Sequence, residues 1–163
     1  MKIRIAGIIE ESFVDGEGVR FAIFVQGCPH KCKGCHNPET HNFNGGKSFD
    51  TEKIISDFAK SPLISGITLT GGEPLCQIDA VTELAKAAKN FGLNVWCYTG
   101  FTYEDLFSND KIKHFLNYVD VLVDGKFIES QRDLNLSFRG STNQRLIDVT
   151  ESLSKNKIIL RRR

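Results

Sequence analysis

Apolar residues recur along this chain in two rhythms, short unbroken runs and longer stretches with an apolar return every third or fourth position. Phe21-Ala22-Ile23-Phe24-Val25 is unbroken and predicts a strand covered on both faces. Residues 66–70, 93–98 and 119–123 also read as strands, while 3–9 alternates imperfectly and predicts an edge strand or an extended lead-in. Between these runs, Ile54, Ile55 and Phe58 share one helical face. So do Val81, Leu84, Ala85 and Ala88, and then Ile112, Phe115 and Leu116. Asp50 is placed to cap the first helix and Ser61-Pro62 to end it. Gly92 stops the second. Thr102 with Asp105 opens the third, which breaks and restarts at Ser108-Asn109-Asp110. Residues 127–138 read as irregular with one helical turn, and 145–149 and 157–160 as final strands.

Strands alternating with helices predict an α/β fold with right-handed crossovers. The expected architecture is an open partial (β/α) barrel of about five to six mostly parallel strands in one domain, 1–163. A closed eight-fold barrel takes about 250 residues, more than this chain has. An open side lets a large substrate, even a segment of another protein, reach the strand ends.

Composition narrows the class without naming a function. The chain is 40% hydrophobic and 25% charged, ordinary for a globular protein. A net charge of +1 offers no field to draw nucleic acid or an anionic membrane. Its apolar runs are too short to span a bilayer, and Met1-Lys2-Ile3-Arg4 lacks the apolar core of a secretory signal. Five cysteines, an odd number, argue against a disulfide framework and for a reducing cytoplasm. Asn135-Leu136-Ser137 matches a glycosylation acceptor, which is set aside because nothing else points to secretion. Arg161-Arg162-Arg163 reads as a solvated tail.

The chemistry concentrates in one loop, Gly27-Cys28-Pro29-His30-Lys31-Cys32-Lys33-Gly34-Cys35-His36-Asn37-Pro38. Thiolates suit soft metals and iron–sulfur clusters. Three cysteines on a four-iron cube leave one iron without a protein ligand, the open position a catalytic site needs. The same spacing also fits a structural zinc site of Cys28, Cys32 and Cys35 with His36, His30 or His41. The loop follows the 21–25 strand, and in parallel α/β folds such loops carry the chemistry. Gly71-Gly72-Glu73-Pro74 follows another strand; its glycines allow close backbone approach and its glutamate offers a carboxylate to an ammonium group. Residues 43–48 resemble a phosphate loop only briefly, since His41 stands where a Walker glycine belongs, and read as a flexible turn into a helix.

With both loops in place the sequence resembles the radical S-adenosylmethionine superfamily. Within it, the chain is similar to the family that activates anaerobic (class III) ribonucleoside-triphosphate reductases. The blocks that carry the likeness are Asp15-Gly16-Glu17-Gly18-Val19-Arg20, the cysteine loop, Tyr98-Thr99-Gly100, Val121-Leu122-Val123-Asp124-Gly125-Lys126-Phe127 and Phe138-Arg139-Gly140-Ser141-Thr142-Asn143-Gln144. The superfamily often has an aromatic residue before the third cysteine; Gly34 stands here, as is frequent in the reductase activators.

The resemblance implies a [4Fe-4S] cluster on Cys28, Cys32 and Cys35 with S-adenosylmethionine on the fourth iron. It implies that Gly71, Gly72 and Glu73 hold the methionine end, with Glu73 or backbone carbonyls toward the ammonium, and that Gly34, Cys35 and His36 meet the adenosyl part. It implies a reduced flavodoxin-like electron donor and, as partner, the large subunit of the reductase, which would receive a glycyl radical. Oligomeric state stays open, a homodimer included. Because a hydrogen atom moves, no general base is needed, and His114, Asp105 and Asp120 get no catalytic role. Asp124 and Lys126 are candidates for ligand contact; Arg139 and Asn143 either order the C-terminal part or meet the partner. Cys97 reads as a small buried hydrophobe, Cys76 as exposed near the site, and Trp96 as core or lining. Other readings are a deazapurine-synthase-like radical enzyme, an iron–sulfur electron carrier and a zinc-binding module.

Overall fold

A computed structural model describes residues 1–161. The strands are β1 (Lys2–Ser12), β2 (Arg20–Val25), β3 (Lys47–Asp50), β4 (Gly66–Gly71), β5 (Asn94–Tyr98), β6 (Val121–Asp124) and β7 (Arg145–Asp148). The helices are α1 (Thr51–Ala59), α2 (Ile78–Asn90), α3 (Tyr103–Leu106), α4 (Asp110–Leu116) and α5 (Val149–Lys155). All seven strands join one open sheet in the order β3-β1-β2-β4-β5-β6-β7. β2, β4, β5 and β6 pair in parallel, while β1 and β7 run antiparallel to their neighbours. The expected open, mostly parallel α/β sheet is therefore present, with seven strands in place of five or six.

Alternation along the strands sorts side chains onto two faces. Phe21, Ile23 and Val25 of β2 and Val95 and Cys97 of β5 join the main core with Ile54 and Phe58 of α1 and Val81 and Leu84 of α2. Trp96, Val121, Val123 and Leu146 form a smaller cluster, with Tyr98 and Phe138 against it. Cys97 is a buried hydrophobe, as expected, and Trp96 is buried too.

Arg20 is fully buried, its guanidinium 5.7 Å from the Trp96 ring. It donates to the Ile67 carbonyl at 2.5 Å, to Thr68 Oγ1 at 3.1 Å, and to Asn94 Oδ1. Burial pushes its pKa down to about 10. Arg161 does not behave as a solvated tail: it bonds Glu17 at 2.5 Å and lies 6.0 Å from the same ring. The other two tail arginines fall outside the described residues.

Four further expectations need correction. The strand over 3–9 is not at an edge; it extends over Lys2–Ser12 between β2 and β3. The edge is β3, from residues read as a turn, and all four of its residues are exposed, so no apolar alternation marked it. Residues 157–160 touch the sheet only through an Ile147–Leu160 bridge, because α5 intervenes and Asn156 turns the chain in a left-handed conformation. Asp50 does sit at the N-terminus of α1, but its carboxylate pairs with Lys2 at 2.9 Å instead of capping.

The consequence for the site is directional. Since β2, β4, β5 and β6 are parallel, the segments after Val25, Gly71, Tyr98 and Asp124 all leave the same edge of the sheet.

Candidate metal centre

The cysteine loop leaves β2 and is tied down at its base by backbone bonds. Gly27 N–H donates to the Thr40 carbonyl at 2.7 Å and Cys28 N–H to that of His41 at 3.2 Å. Within the loop Cys35 N–H reaches the Cys32 carbonyl at 3.2 Å, and Asn37 N–H points at Cys35 Sγ at 3.4 Å. Cys28 is buried and Cys32 and Cys35 are partly exposed; all three are free thiols. Burial pushes the Cys28 thiol up, offset in part by the His30 and Lys31 backbone N–H groups. A bound metal ion reverses that preference, because a coordinated thiol is deprotonated.

These three cysteines line one cleft of about 680 Å³. Its other walls include Thr70, Gly71 and Gly72 after β4, and Lys126, Phe127 and Arg139 from the C-terminal part. Among the described residues no three His, Cys, Asp or Glu side chains gather around a single-ion position. Three unpaired thiols beside an open cleft fit an incompletely ligated cluster.

The Gly71-Gly72 turn is shaped by its neighbours. Gly71 has φ +96°, and a Cβ there would lie 2.7 Å from Phe24 Cα and Val25 N. Gly72 N–H donates to the Val25 carbonyl at 2.9 Å, and Glu73 N–H to that of Gly27 at 2.8 Å. The turn and the cysteine loop are thus stitched together by main chain, and their backbone faces the cleft without side chains.

A family model described as a 4Fe-4S single cluster domain matches residues 14–147. An anaerobic ribonucleoside-triphosphate reductase-activating protein of Vibrio cholerae serotype O1 is 40% identical over 139 residues, 80% of this chain and 88% of that one. The protein of the same name from Enterobacteria phage T4 is 38% identical over 151 residues, 88% of this chain and 93% of its own. That from Escherichia coli K12 is 35% identical over 140 residues, 80% and 89% of the two chains. This chain belongs to that family of activating proteins, and it carries the family's 4Fe-4S domain.

Against the family reading, most expected site residues lie where the cleft is and some do not. Cys28, Cys32, Cys35, His36, Gly71 and Gly72 all line it. His36 stacks on Phe127 with ring centres 5.3 Å apart. Gly34 does not line the cleft; its bare Cα packs against Glu129 and the Phe127 ring. Glu73 does not line it either. Its side chain is 0% exposed and absent from the cleft wall, because its carboxylate is consumed inside the protein. It accepts from Leu75 N–H at 3.1 Å, Thr99 Oγ1 at 2.9 Å and Gly100 N–H at 2.8 Å, and its Oε2 lies 2.6 Å from His30 Nε2.

Asp124 is also turned inward, held by Arg145 and by the Tyr103 N–H, while Lys126 reaches the cleft. The 138–144 block closes the far wall as a strapped loop. Tyr98 Oη donates to the Phe138 carbonyl at 2.7 Å, Asn143 Nδ2 to that of Lys126 at 2.7 Å, and Gln144 Nε2 to that of Gly125 at 3.0 Å. Burial pushes the Tyr98 phenol well above its ordinary value, so it stays a donor. Arg139 lines the cleft, with Nη1 on the Gln144 carbonyl at 2.6 Å and a buried Nε that has no partner among the described residues. Sequence reading missed Tyr98 and Phe127 as wall residues, and their only signal was membership of the family blocks. Cys76 is exposed and outside the cleft.

Proposed function

We propose that this chain holds a [4Fe-4S] cluster on Cys28, Cys32 and Cys35, binds S-adenosylmethionine in the adjoining cleft, and places a glycyl radical on an anaerobic ribonucleoside-triphosphate reductase. One observation carries the site assignment: three unpaired thiols and the bare Gly71-Gly72 backbone share one cleft at the ends of adjacent parallel strands. Membership of the activating-protein family supports the partner.

When bound, the reduced cluster and S-adenosylmethionine supply one-electron chemistry that removes a hydrogen atom from a partner glycine, leaving methionine and 5′-deoxyadenosine as small products. The protein's own task is placement. Gly71 and Gly72 present backbone to the methionine end, and Cys35 and His36 border the adenosyl end. Lys126 and Arg139 add positive charge to the cleft wall, which suits a ligand bearing a carboxylate. A reduced flavodoxin-like protein supplies the electron, and the reaction belongs in the cytoplasm, where free thiols stay reduced. No helix among the described residues is long and apolar enough to cross a membrane.

The test is anaerobic reconstitution with iron and sulfide, reduction, and addition of S-adenosylmethionine, with Cys32→Ala as control. Formation of 5′-deoxyadenosine by the wild type alone is expected, followed by a glycyl radical signal on added reductase. No cleavage, with zinc as the tightly bound metal, would overturn the enzyme reading.

A further inference from the structure

One short polar contact ties the cysteine loop to the turn after β4, joining His30, which lines the cleft, to Glu73, which does not. His30, inside the cysteine loop, brings Nε2 to 2.6 Å from Glu73 Oε2. Their side chains are 6% and 0% exposed. Every other group on the Glu73 carboxylate is a donor: Leu75 N–H, the Thr99 hydroxyl and Gly100 N–H. The Thr99 oxygen accepts from Phe101 N–H at 3.1 Å, which leaves its O–H to donate to the Glu73 carboxylate. A carboxylate surrounded this way has only acceptor sites to offer, so His30 Nε2 carries the hydrogen.

Glu73 thereby binds three loops at once: the cysteine loop after β2, its own turn after β4, and Thr99-Gly100 after β5. The imidazole is fixed from its other sides as well. Phe101 meets it edge-on, ring centres 4.7 Å apart, and any Cβ on Gly100 would overlap the ring.

We infer that His30 is a positioning residue, which holds the cysteine loop in register with the Gly71-Gly72 turn by donating to Glu73. Cluster site and cofactor turn are then one mechanical unit, and Glu73 acts through that unit instead of on the ligand. Lys31, the next residue, has φ +51°, so the chain turns sharply between His30 and Cys32, and the anchor sits immediately before that turn.

The inference rests on reading the cysteine loop as the cluster site, and the experiment separates the two. Wild type, His30→Ala, His30→Gln, Cys32→Ala and Phe58→Leu are reconstituted anaerobically, and iron and sulfide per chain are counted. Iron release to a chelator is then timed. His30→Ala should release iron about 10- to 100-fold faster than wild type. His30→Gln keeps an N–H donor at nearly the same reach and should return release to within about threefold of wild type. Phe58→Leu destabilises the fold against Phe21, at the opposite end of β2 from the loop, and should release iron at the wild-type rate.

If wild type binds no iron and sulfide, the cluster reading fails and the inference falls with it. If wild type binds them and His30→Ala releases iron no faster, the inference alone is overturned. Equal acceleration by Phe58→Leu would also overturn it, by showing a general stability effect. Should His30→Ala not fold, His30→Gln decides: near-wild-type retention supports the anchor, and loss of the cluster refutes it.

Discussion

Arg145 of β7 grips Asp124 of β6 with two guanidinium nitrogens, Nε to Oδ1 at 3.1 Å and Nη2 to Oδ2 at 2.6 Å. Asp124 is 1% exposed and also accepts from Tyr103 N–H at 2.8 Å, which fixes the start of α3. The antiparallel strand that ends the sheet is therefore pinned to its last parallel strand at the level of the site. Arg145→Met would leave a buried carboxylate without its cation, and a loss of about 3–5 kcal/mol is expected. Urea denaturation of the cluster-free protein checks it; a change under 1 kcal/mol would contradict it.

Glu104 joins the same arginine at 2.7 Å but is 59% exposed. Its bond to Arg145 holds its carboxyl below the ordinary value. The unfolded chain therefore takes up that proton first as pH falls, so the stabilisation is present above about pH 4.5 and is lost as pH drops through the lowered value. Glu104→Gln should cost no more than about 0.5 kcal/mol at neutral pH, given solvent screening, and should flatten the acid limb of the stability profile. Denaturation midpoints on both sides of that window would show it.

Two glycines with positive φ give a contrast. At Gly92 (φ +76°) a Cβ would meet nothing within 4 Å, whereas at Gly71 (φ +96°) it would strike the β2 backbone. Gly92→Ala should cost about 1 kcal/mol, the conformational part alone, and Gly71→Ala about 2–4 kcal/mol. Only Gly71→Ala should weaken S-adenosylmethionine binding, measured by equilibrium dialysis on reconstituted protein.

Alkylation of the folded, cluster-free protein should separate the cysteines. Cys97 is completely buried, with its thiol pushed well up by burial, and should react only on unfolding. Cys28, 9% exposed with its thiol also raised, should react slowly and gain rate at higher pH than a free thiol, because less thiolate is present at any given pH. Peptide mapping after timed iodoacetamide treatment gives the order; early labelling of Cys97 would contradict the packing.

Much of the site was legible because its signals are local. Three cysteines within eight residues and two adjacent glycines after an apolar run need no knowledge of distant contacts. The surroundings of Glu73 were not legible, because a carboxylate beside two glycines looks the same in sequence whether it faces a ligand or donors from other loops. The exposed strand β3 and the helix α5 were illegible for a different reason. β3 has no buried residue, and α5 begins at Val149, whose buried apolar side chain looked like one more strand position.

The sequence by itself determined the parallel core, since continuous apolar runs such as Phe21-Ala22-Ile23-Phe24-Val25 can only be covered on both faces, and it determined the donor set of the cysteine loop. Only the tertiary structure decided where polar groups spend their hydrogen bonds. Glu73, Asp124 and Arg20 are buried, and burial obliges each to find partners from strands far away in the chain. Those partners exist once the sheet has set its strand order, which is a property of packing and not of any local run of residues.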